Sequence, residues 1–297
     1  MNIRPITDAD IEAVAALAAE DEAALHGRPS RVGPADVCGW LTRADLANDS
    51  WLYEAEDQVV AVSWFEVYGE LGIFIGIVAQ GAKGRGLGTR LVDTGEAQAR
   101  ARGAARAQTF GLEQDSVAAD LFERHGFTLV RRFYEMAIEL EAAPKVSALP
   151  EGFTLEPFRT EDARPFHTTL DSAFQDMWGH QSIGFDRWWE QKQGAHDFDP
   201  TLWFLVRDGD EIAATIRNVP ERNGGGYVEA LGVARPWRGK GLGRALLLRT
   251  FAEFYSRGVP RVTLGVDAQS PTGATKLYES VGMTIESANV CYEKALT

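Results

Sequence analysis

The chain has little cysteine, a deficit of positive charge and no long hydrophobic run, and each shortage excludes a class of protein. Its two cysteines, Cys38 and Cys291, lie far apart with no CxxC pattern and no Cys/His cluster, which excludes a disulfide framework and predicts no metal site. A formal net charge of -13 argues against nucleic acid or an anionic membrane as a partner, because phosphate binding depends on Lys and Arg. The longest apolar run, 73–79, is too short to cross a bilayer, and the N-terminus does not read as a secretion signal. A cytoplasmic protein is therefore expected.

The sequence repeats itself over a long period. Residues 78–88 align with residues 233–243, and both segments begin Val-Ala and end Gly-basic-Gly-Leu-Gly. Two further landmarks align in the same order: 5–10 with 157–162, and 121–127 with 277–283. A period of this length indicates duplication of a whole domain rather than a solenoid.

The repeat and the composition predict two domains joined by a linker. The N-terminal domain is expected at 1–140, the linker at 141–152, where Pro, Ala and Ser are concentrated, and the C-terminal domain at 153–297. Each copy mixes strand and helix patterns around an antiparallel meander, which predicts an α/β fold with a mixed, mostly antiparallel twisted sheet flanked by helices. In the second copy the expected elements are strand 153–158, helices 161–174 and 185–193, strands 201–207, 211–219 and 226–233, helix 241–257, strand 262–266, helix 272–280 and strands up to 294.

A glycine-rich segment, Arg238-Gly-Lys-Gly-Leu-Gly243, leads from a predicted strand directly into a helix. Glycines let the backbone approach a ligand closely, and the free N–H groups and dipole at a helix start attract phosphate. The two common nucleotide loops do not fit, because Arg244 stands at the third glycine of the dinucleotide fingerprint and Lys240 is followed by Gly241 rather than Ser or Thr. A turn that binds nothing is the alternative, and the second copy of the loop argues against it.

Two motifs carry a resemblance to a known family. The segment Val233-Ala-Arg-Pro-Trp-Arg-Gly-Lys-Gly-Leu-Gly243 resembles the acetyl-CoA signature of the GNAT acetyltransferase superfamily, V-x-P-x-x-R/Q-x-x-G-x-G/A, with the proline one place late. Residues 266–283 resemble the family's last motif, with Ser270 where the family often has Asn. The resemblance spans both halves and implies a tandem GNAT protein that uses acetyl-CoA as co-substrate and no metal. The implied cofactor contacts are Leu231, Val233, Arg238, Gly239, Lys240, Gly241, Leu242, Gly243 and Arg244.

The first copy of the loop leaves two interpretations open. Either it also holds acetyl-CoA or it only supports the fold. Its candidate contacts are Val78, Lys83, Gly84, Arg85, Gly86, Gly88 and Thr89.

The family implies direct attack of an amine on the acetyl thioester. An alkyl amine has a pKa near 10.4 and is mostly protonated at pH 7, so a base must face the thioester. Tyr227, Glu229 and Leu231 are expected on one face of the strand before the loop, unless a bulge intervenes. Glu229 is the one carboxylate among them and is the candidate base, with a solvated strand residue as the alternative. Its ordinary pKa of about 4.3 is low for direct proton abstraction, so desolvation or a water relay is required.

Departure of CoA is helped by a proton, which the family usually draws from the Tyr of its L-Y-E motif. Tyr278 matches that tyrosine, and an aromatic core residue is the alternative. A phenol pKa near 10 lies within about two units of a thiol pKa near 8.5, so proton transfer is only slightly uphill. Positions 74 and 122, which the alignment places over Glu229 and Tyr278, are both Phe. The N-terminal domain is therefore predicted to be catalytically silent.

In this family the region between the first two strands borders the acceptor, and here it carries aromatic and acidic residues. Such a mixture would suit a small cationic amine, although the tryptophans could instead pack on the sheet. The substrate candidates are Asp176, Trp178, Trp189 and Tyr227. The expected function is acetyl transfer from acetyl-CoA to a primary amine of a small molecule in the C-terminal domain, by a monomer or homodimer. A non-catalytic acyl-CoA-binding or sensor protein, and acetylation of a protein amine, remain open.

Overall fold

The computed structural model describes residues 1–42, 44–145 and 148–296, so Val146 and Ser147 of the predicted linker lie outside the described residues. Within these ranges the chain forms twelve strands and nine α-helices. The first half contains β1 (Asn2–Arg4), α1 (Ile11–His26), α2 (Pro34–Leu41), α3 (Leu46–Asp49), β2 (Ser50–Ala55), β3 (Gln58–Tyr68), β4 (Leu71–Val78), α4 (Leu87–Ala101), β5 (Arg106–Leu112), α5 (Ser116–Arg124) and β6 (Thr128–Glu139). The second half contains β7 (Phe153–Pro157), α6 (Ala163–Phe174), α7 (Phe185–Gln193), β8 (Phe204–Asp208), β9 (Glu211–Arg222), β10 (Gly225–Val233), α8 (Leu242–Ser256), β11 (Arg261–Asp267), α9 (Ala274–Ser280) and β12 (Thr284–Ala295).

The chain divides into two compact units. Unit 1 is Met1–Phe133 together with the C-terminal segment from Ser287 onward, and unit 2 is Tyr134–Glu286. The unit boundaries thus fall inside β6 and β12, whereas the expected boundaries lay at 140 and 153. The difference has a physical reason: β12 pairs antiparallel with β5 along seven residues, and strand pairing is a contact that a sequence repeat does not report.

Six described strands are hydrogen-bonded side by side in unit 1, and six in unit 2. Their order is β1-β2-β3-β4-β5-β12 in unit 1 and β7-β8-β9-β10-β11-β6 in unit 2. The pairs β4–β5 and β10–β11 are parallel. The antiparallel pairs are β1–β2, β2–β3, β3–β4, β5–β12, β7–β8, β8–β9 and β9–β10. With helices on the sheets, this confirms the expected α/β class with mostly antiparallel sheets.

The core of unit 2 brings α8 against the central strands. Leu246, Phe251 and Phe254 of α8 are buried at helical spacing and belong to the same apolar cluster as Val228 of β10. A Cβ at Gly226 would lie 2.4 Å from the Phe254 ring, so glycine is required for this close approach. The packing fixes the start of α8 beside the end of β10, where the glycine-rich loop joins them.

The core of unit 1 includes residues of β12. Tyr292 packs its ring 5.2 Å from that of Phe122, and Lys294 donates to the buried carboxylate of Glu96 at 2.6 Å. The last strand therefore supplies both apolar and charged contacts to unit 1. Across the described ranges, none of the helices combines the length and the apolar character that a bilayer crossing requires.

Candidate active site

The glycine-rich loop of unit 2 joins β10 to α8. Gly239 and Gly241 have φ angles of 77° and 80°, a left-handed conformation that side chains disfavour. Gly241 is the N-cap residue of α8 and offers no capping side chain, so N–H groups of the first helical turn are left for a ligand. The loop presents backbone donors at the positive end of the helix dipole, which is the arrangement that binds phosphate.

Some basic side chains of the loop bind other parts of unit 2, whereas others are exposed at the start of α8. Arg238 donates to the carbonyls of Val233 and Ala173 at 3.1 and 3.2 Å and pairs with Asp176 at 3.1 Å. Arg235 also pairs with Asp176, and hydrogen bonds from Arg235 and Arg238 lower the pKa of this carboxyl. Asp176, a predicted substrate residue, therefore anchors the loop. The other basic side chains of the segment, Lys240 and Arg244, are exposed at the start of α8.

Strand β10 contains a bulge immediately before the loop. Its register against β9 shifts between Val228, which faces Asn218, and Ala230, which faces Arg217. Glu229 is therefore an extra residue between two consecutive rungs of the ladder. The parallel pairing of β10 with β11 runs from Gly226 to Val228, so Glu229 lies where the two strands begin to separate.

The bulge reverses the alternation of side chains along β10. A Cβ at Gly226 would point into α8, so the next residue, Tyr227, points to the opposite face of the sheet. Leu231 instead points toward α8, because its side chain lies 3.8 Å from the position that a Cβ of Gly243 would take. The expectation that Tyr227, Glu229 and Leu231 share one face is thus wrong for Leu231, because the extra residue shifts the period by one.

Two cations hold the carboxylate of Glu229. Its Oε1 lies 3.1 Å from Nζ of Lys192 on α7, and its Oε2 lies 2.8 Å from Nη1 of Arg217 on β9. The Glu229 side chain is 19% exposed, and Arg217 is buried at 7%. Burial would raise the pKa of Glu229, but Arg217, Lys192 and Arg222 outweigh it and lower the pKa to about 2. Glu229 is therefore ionised at neutral pH and, in this arrangement, a weak base.

Tyr227 lies beside this charge cluster. The guanidinium of Arg222 stacks 4.8 Å from the centre of the Tyr227 ring and pairs with Asp197 at 3.3 Å. Burial, with the nearby charge of Glu135, raises the pKa of Tyr227 far above its ordinary value, so the phenol stays neutral.

Tyr278 lies on α9 and is 8% exposed. Burial raises the pKa of its phenol to about 12. Against a thiol pKa near 8.5, complete proton transfer to a departing thiolate would be uphill by about 5 kcal/mol. The phenol therefore stays protonated at neutral pH, and the expectation of a nearly balanced transfer does not hold.

The expected acceptor region is occupied mostly by core packing. Trp189 stacks on Trp188 with ring centres 5.8 Å apart and meets Trp203 edge-to-face at 6.3 Å, against the aromatic core of unit 2. Trp178 is half-buried in the turns after α6. The Asp186 side chain at the start of α7 is 90% exposed and pairs with Arg164. Trp188 and Trp189 therefore follow the alternative interpretation, in which the tryptophans pack into the core against the sheet.

Sequence reasoning missed Lys192 and Arg217, although both left a signal. Lys192 stands four residues after Trp188 on α7, so the two side chains share a helix face. Arg217 interrupts the apolar strand 212–219, and a charge inside a buried strand requires a partner.

Unit 1 has the same loop. Gly84 and Gly86 have φ angles of 76° and 81°, within one degree of their counterparts in unit 2. Its first basic residue, Lys83, lies 2.7 Å from Asp21 and 3.7 Å from Asp115, so two carboxylates already neutralise it. A cavity of about 260 Å³ beside this loop is slightly smaller than the usual small-ligand pocket of about 300 Å³ or more. That cavity is lined by Met1, Ala55, Val60, Ala82, Arg85, Gly86, Leu87 and Arg90.

The strand before the loop differs between the units. β4 keeps an unbroken register with β3, in which Phe74 faces Phe65. When the paired residues are counted back from the aligned Val78 and Val233, Phe74 of β4 occupies the same rung of the ladder as Val228 of β10. The predicted equivalence of Phe74 with Glu229 is therefore wrong. Because β4 has no bulge, unit 1 has no residue in the position of Glu229.

The comparisons with known proteins agree with this architecture. The acetyltransferase (GNAT) family model matches residues 16–127 and 163–283. A mycothiol acetyltransferase of Thermobispora bispora is 34% identical over 237 residues, which are 73% of this chain and 74% of that protein. Another from Thermomonospora curvata is 33% identical over 229 residues, 73% of this chain and 72% of that protein.

Solved structures show the same fold over the full length. A GCN5-related N-acetyltransferase from Sphaerobacter thermophilus is 32% identical, with a TM-score of 0.85 over 99% of this chain and 95% of that one. A tandem GNAT protein from the clavulanic acid biosynthesis pathway is 17% identical and shares the fold, with a TM-score of 0.73 over 99% and 98% of the two chains.

A duplicated α/β sheet with a glycine-rich loop at the start of a helix in each copy defines a tandem acetyltransferase fold. The chain belongs to the GNAT acetyltransferase family. It is an N-acetyltransferase with two tandem GNAT repeats, similar in organisation to mycothiol synthase. Members of this family use acetyl-CoA.

Proposed function

We propose that unit 2 transfers an acetyl group from acetyl-CoA to the primary amine of a small molecule, and that unit 1 is catalytically silent. The observation that carries this proposal is the bulge at Glu229. Unit 2 places a half-buried carboxylate where β10 separates from β11, shortly before the glycine-rich loop. Unit 1 has the loop without that residue.

Acetyl-CoA is assigned to the loop of unit 2. The N–H groups at the start of α8 would receive the pyrophosphate, and Lys240 and Arg244 would add charge-assisted contacts. The edge of β10 after the bulge, at Leu231 and Val233, faces the gap beside β11 and would take the pantetheine arm. Local basic residues suffice for this despite the net charge of -13.

Glu229 would hold the acceptor as an ammonium ion, and the ammonium would then lose its proton to water. Direct transfer from an ammonium of pKa 10.4 to a carboxylate of pKa about 2 costs about 11 kcal/mol. A turnover of 10 per second corresponds to a total barrier of about 16 kcal/mol, so direct transfer would consume most of it. Loss of the proton to water at pH 7 costs about 5 kcal/mol instead, and Glu229 would contribute by pairing with the ammonium and positioning it.

Tyr278 would donate a hydrogen bond to the sulfur of the departing thiolate. Its phenol is neutral at any physiological pH, because burial raises its pKa to about 12. A fixed donor aimed at developing negative charge contributes without giving up its proton.

A small-molecule acceptor is favoured over a protein amine by the relatives. Mycothiol acetyltransferases, by their name, act on a small molecule. The charged groups around Glu229 are largely buried, and a confined site of this kind suits a compact acceptor better than a polypeptide.

The test is thiol release from acetyl-CoA across a panel of primary amines that includes amino sugars and the acceptor of mycothiol acetyltransferase. With a productive amine, Glu229→Gln should lower kcat/KM about 10²- to 10³-fold, because the neutral amide cannot pair with the ammonium. Acetyl-CoA affinity should stay within about twofold. The matched control is Asp186→Asn, whose carboxylate is exposed, and it should leave kcat/KM within about twofold.

Two outcomes would overturn the proposal. Tight CoA binding without thiol release for any amine would favour the sensor protein. Full activity of Glu229→Gln would remove Glu229 from the reaction.

A further inference from the structure

A primary amine of the chain already stands at the proposed acceptor position. Nζ of Lys192 lies 3.1 Å from Oε1 of Glu229, and both side chains are 19% exposed. Lys192 is held there by its helix, because Trp188 and Trp189 of α7 pack into the aromatic core of unit 2. The packing of α7 therefore fixes the position from which the Lys192 ammonium approaches Glu229.

An external acceptor must reach the same carboxylate with the same functional group. An alkylammonium and the Lys192 ammonium are the same functional group with the same charge, so the two compete for Glu229. Arg217 holds the other carboxylate oxygen, at 2.8 Å, and can remain when Lys192 is displaced. When no acceptor is present, the amine nearest to Glu229 is that of Lys192.

We propose that Lys192 is itself an acetylation site, and that unit 2 acetylates its Nζ once when acetyl-CoA is bound and no external amine is present. The inference rests on the proposed function, since it uses the same acetyl donor and the same carboxylate. A bond forms between Nζ and the acetyl carbonyl carbon, and the carbon–sulfur bond breaks. CoA leaves with the electron pair of that bond. The ammonium loses two protons in all, one to solvent before attack and one that ends on the CoA sulfur.

The product limits the reaction to a single turnover. The amide of acetyl-lysine carries no charge and has no nucleophilic lone pair, so the same residue cannot react again. It also leaves Glu229 with one fewer cation, which distinguishes this site from acetylation of a surface lysine. The chain has only six lysines, so each site is readily separated by peptide mapping.

The experiment incubates the full chain with acetyl-CoA labelled with ¹³C in both acetyl carbons, without acceptor, and follows intact mass and peptide maps over time. One acetyl group per chain is expected at Lys192, and a productive amine from the panel should suppress this label. Lys192→Arg keeps the positive charge and should take no label above the background of the other lysines. Lys145→Arg, at an exposed lysine, should label at Lys192 as the wild type does.

The outcomes separate this inference from the function on which it rests. Equal slow labelling of several lysines, unchanged in Glu229→Gln, would overturn the inference, as would absence of label at Lys192 while amines release thiol. In both cases thiol release with amines would leave the proposed function standing. Absence of both label and thiol release would overturn the two together.

Discussion

Units 1 and 2 have the same loop and different strands leading into it. The φ angles of the two loop glycines agree within one degree between the units. β4 meets its loop with an unbroken ladder, whereas β10 carries an extra residue, Glu229, between Val228 and Ala230. A single inserted residue in the strand before the loop thus separates the unit that carries a carboxylate at this point from the unit that does not.

The charges around the two loops also differ. In unit 1, Asp21 and Asp115 both face Lys83. In unit 2, one carboxylate, Asp176, is shared by Arg235 and Arg238. The loop of unit 2 therefore has the greater surplus of positive charge for a phosphate.

After the loss expected for Glu229→Gln, the next largest effect on turnover is expected at Tyr278. Tyr278→Phe should lower kcat about 10- to 100-fold with little change in the KM for acetyl-CoA, because one donor to the developing thiolate is lost. Steady-state thiol release measures both constants. The matched variant in unit 1, Phe122→Tyr, should add no turnover to a Glu229→Gln background. A kcat within about twofold of wild type in Tyr278→Phe would show that the phenol is only a core residue.

A smaller effect is expected from the charge at the start of α8. Arg244→Ala should weaken acetyl-CoA binding about tenfold, because Arg244 is exposed and its contribution falls at the lower end of the about 1.5 to 3 kcal/mol that a charge-assisted hydrogen bond provides. Its counterpart in unit 1 is Thr89, and Thr89→Ala should leave the affinity unchanged. Titration calorimetry at two salt concentrations measures both, and the loss should shrink at high salt. Equal losses in the two variants would place ligand binding in both units.

The smallest effect concerns stability in acid. The folded pKa of Glu229, about 2, lies below its ordinary value of 4.5, so this group stabilises the fold above pH 4.5 and its contribution is lost as the pH falls toward 2. The Glu229→Gln variant lacks this contribution at every pH, because its amide does not ionise. The difference in unfolding midpoint between wild type and Glu229→Gln should therefore narrow from pH 6 to pH 3 in thermal melts. A difference independent of pH would contradict the ion pairs with Lys192 and Arg217.

Sequence patterns sufficed for most of the fold. The helix expected at 185–193 is α7, and the strand expected at 226–233 is β10 with one added residue. The strand expected from 201 begins at Phe204, because Asp199 caps a short 3₁₀ turn over Pro200–Leu202. The assignment of β12 to unit 1 could not be predicted, since pairing between distant strands leaves no local pattern.

The site was predictable in its residue types and not in its electrostatics. The glycine-rich loop was identified by its motif, and Glu229 and Tyr278 were selected by residue type and by resemblance to the family. The register shift at Glu229 and the cations from α7 and β9 depend on tertiary contacts, and these contacts lower the pKa of Glu229 instead of raising it. The separation between Asp21 and Asp176 along the chain equals the separation between the two loops. This repeat in the sequence therefore indicates that Asp176 anchors its loop, as Asp21 does in unit 1.

The stoichiometry of acetyl-CoA binding in titration calorimetry distinguishes a single acetyl-CoA site in unit 2, which we expect, from sites in both units. The wild-type chain should bind one equivalent. Gly241→Val should weaken this binding at least tenfold, because a β-branched residue disfavours a φ of 80° and crowds the loop, while Gly86→Val in unit 1 should leave it intact. Two equivalents per chain, or one equivalent that survives Gly241→Val and is lost in Gly86→Val, would contradict the account.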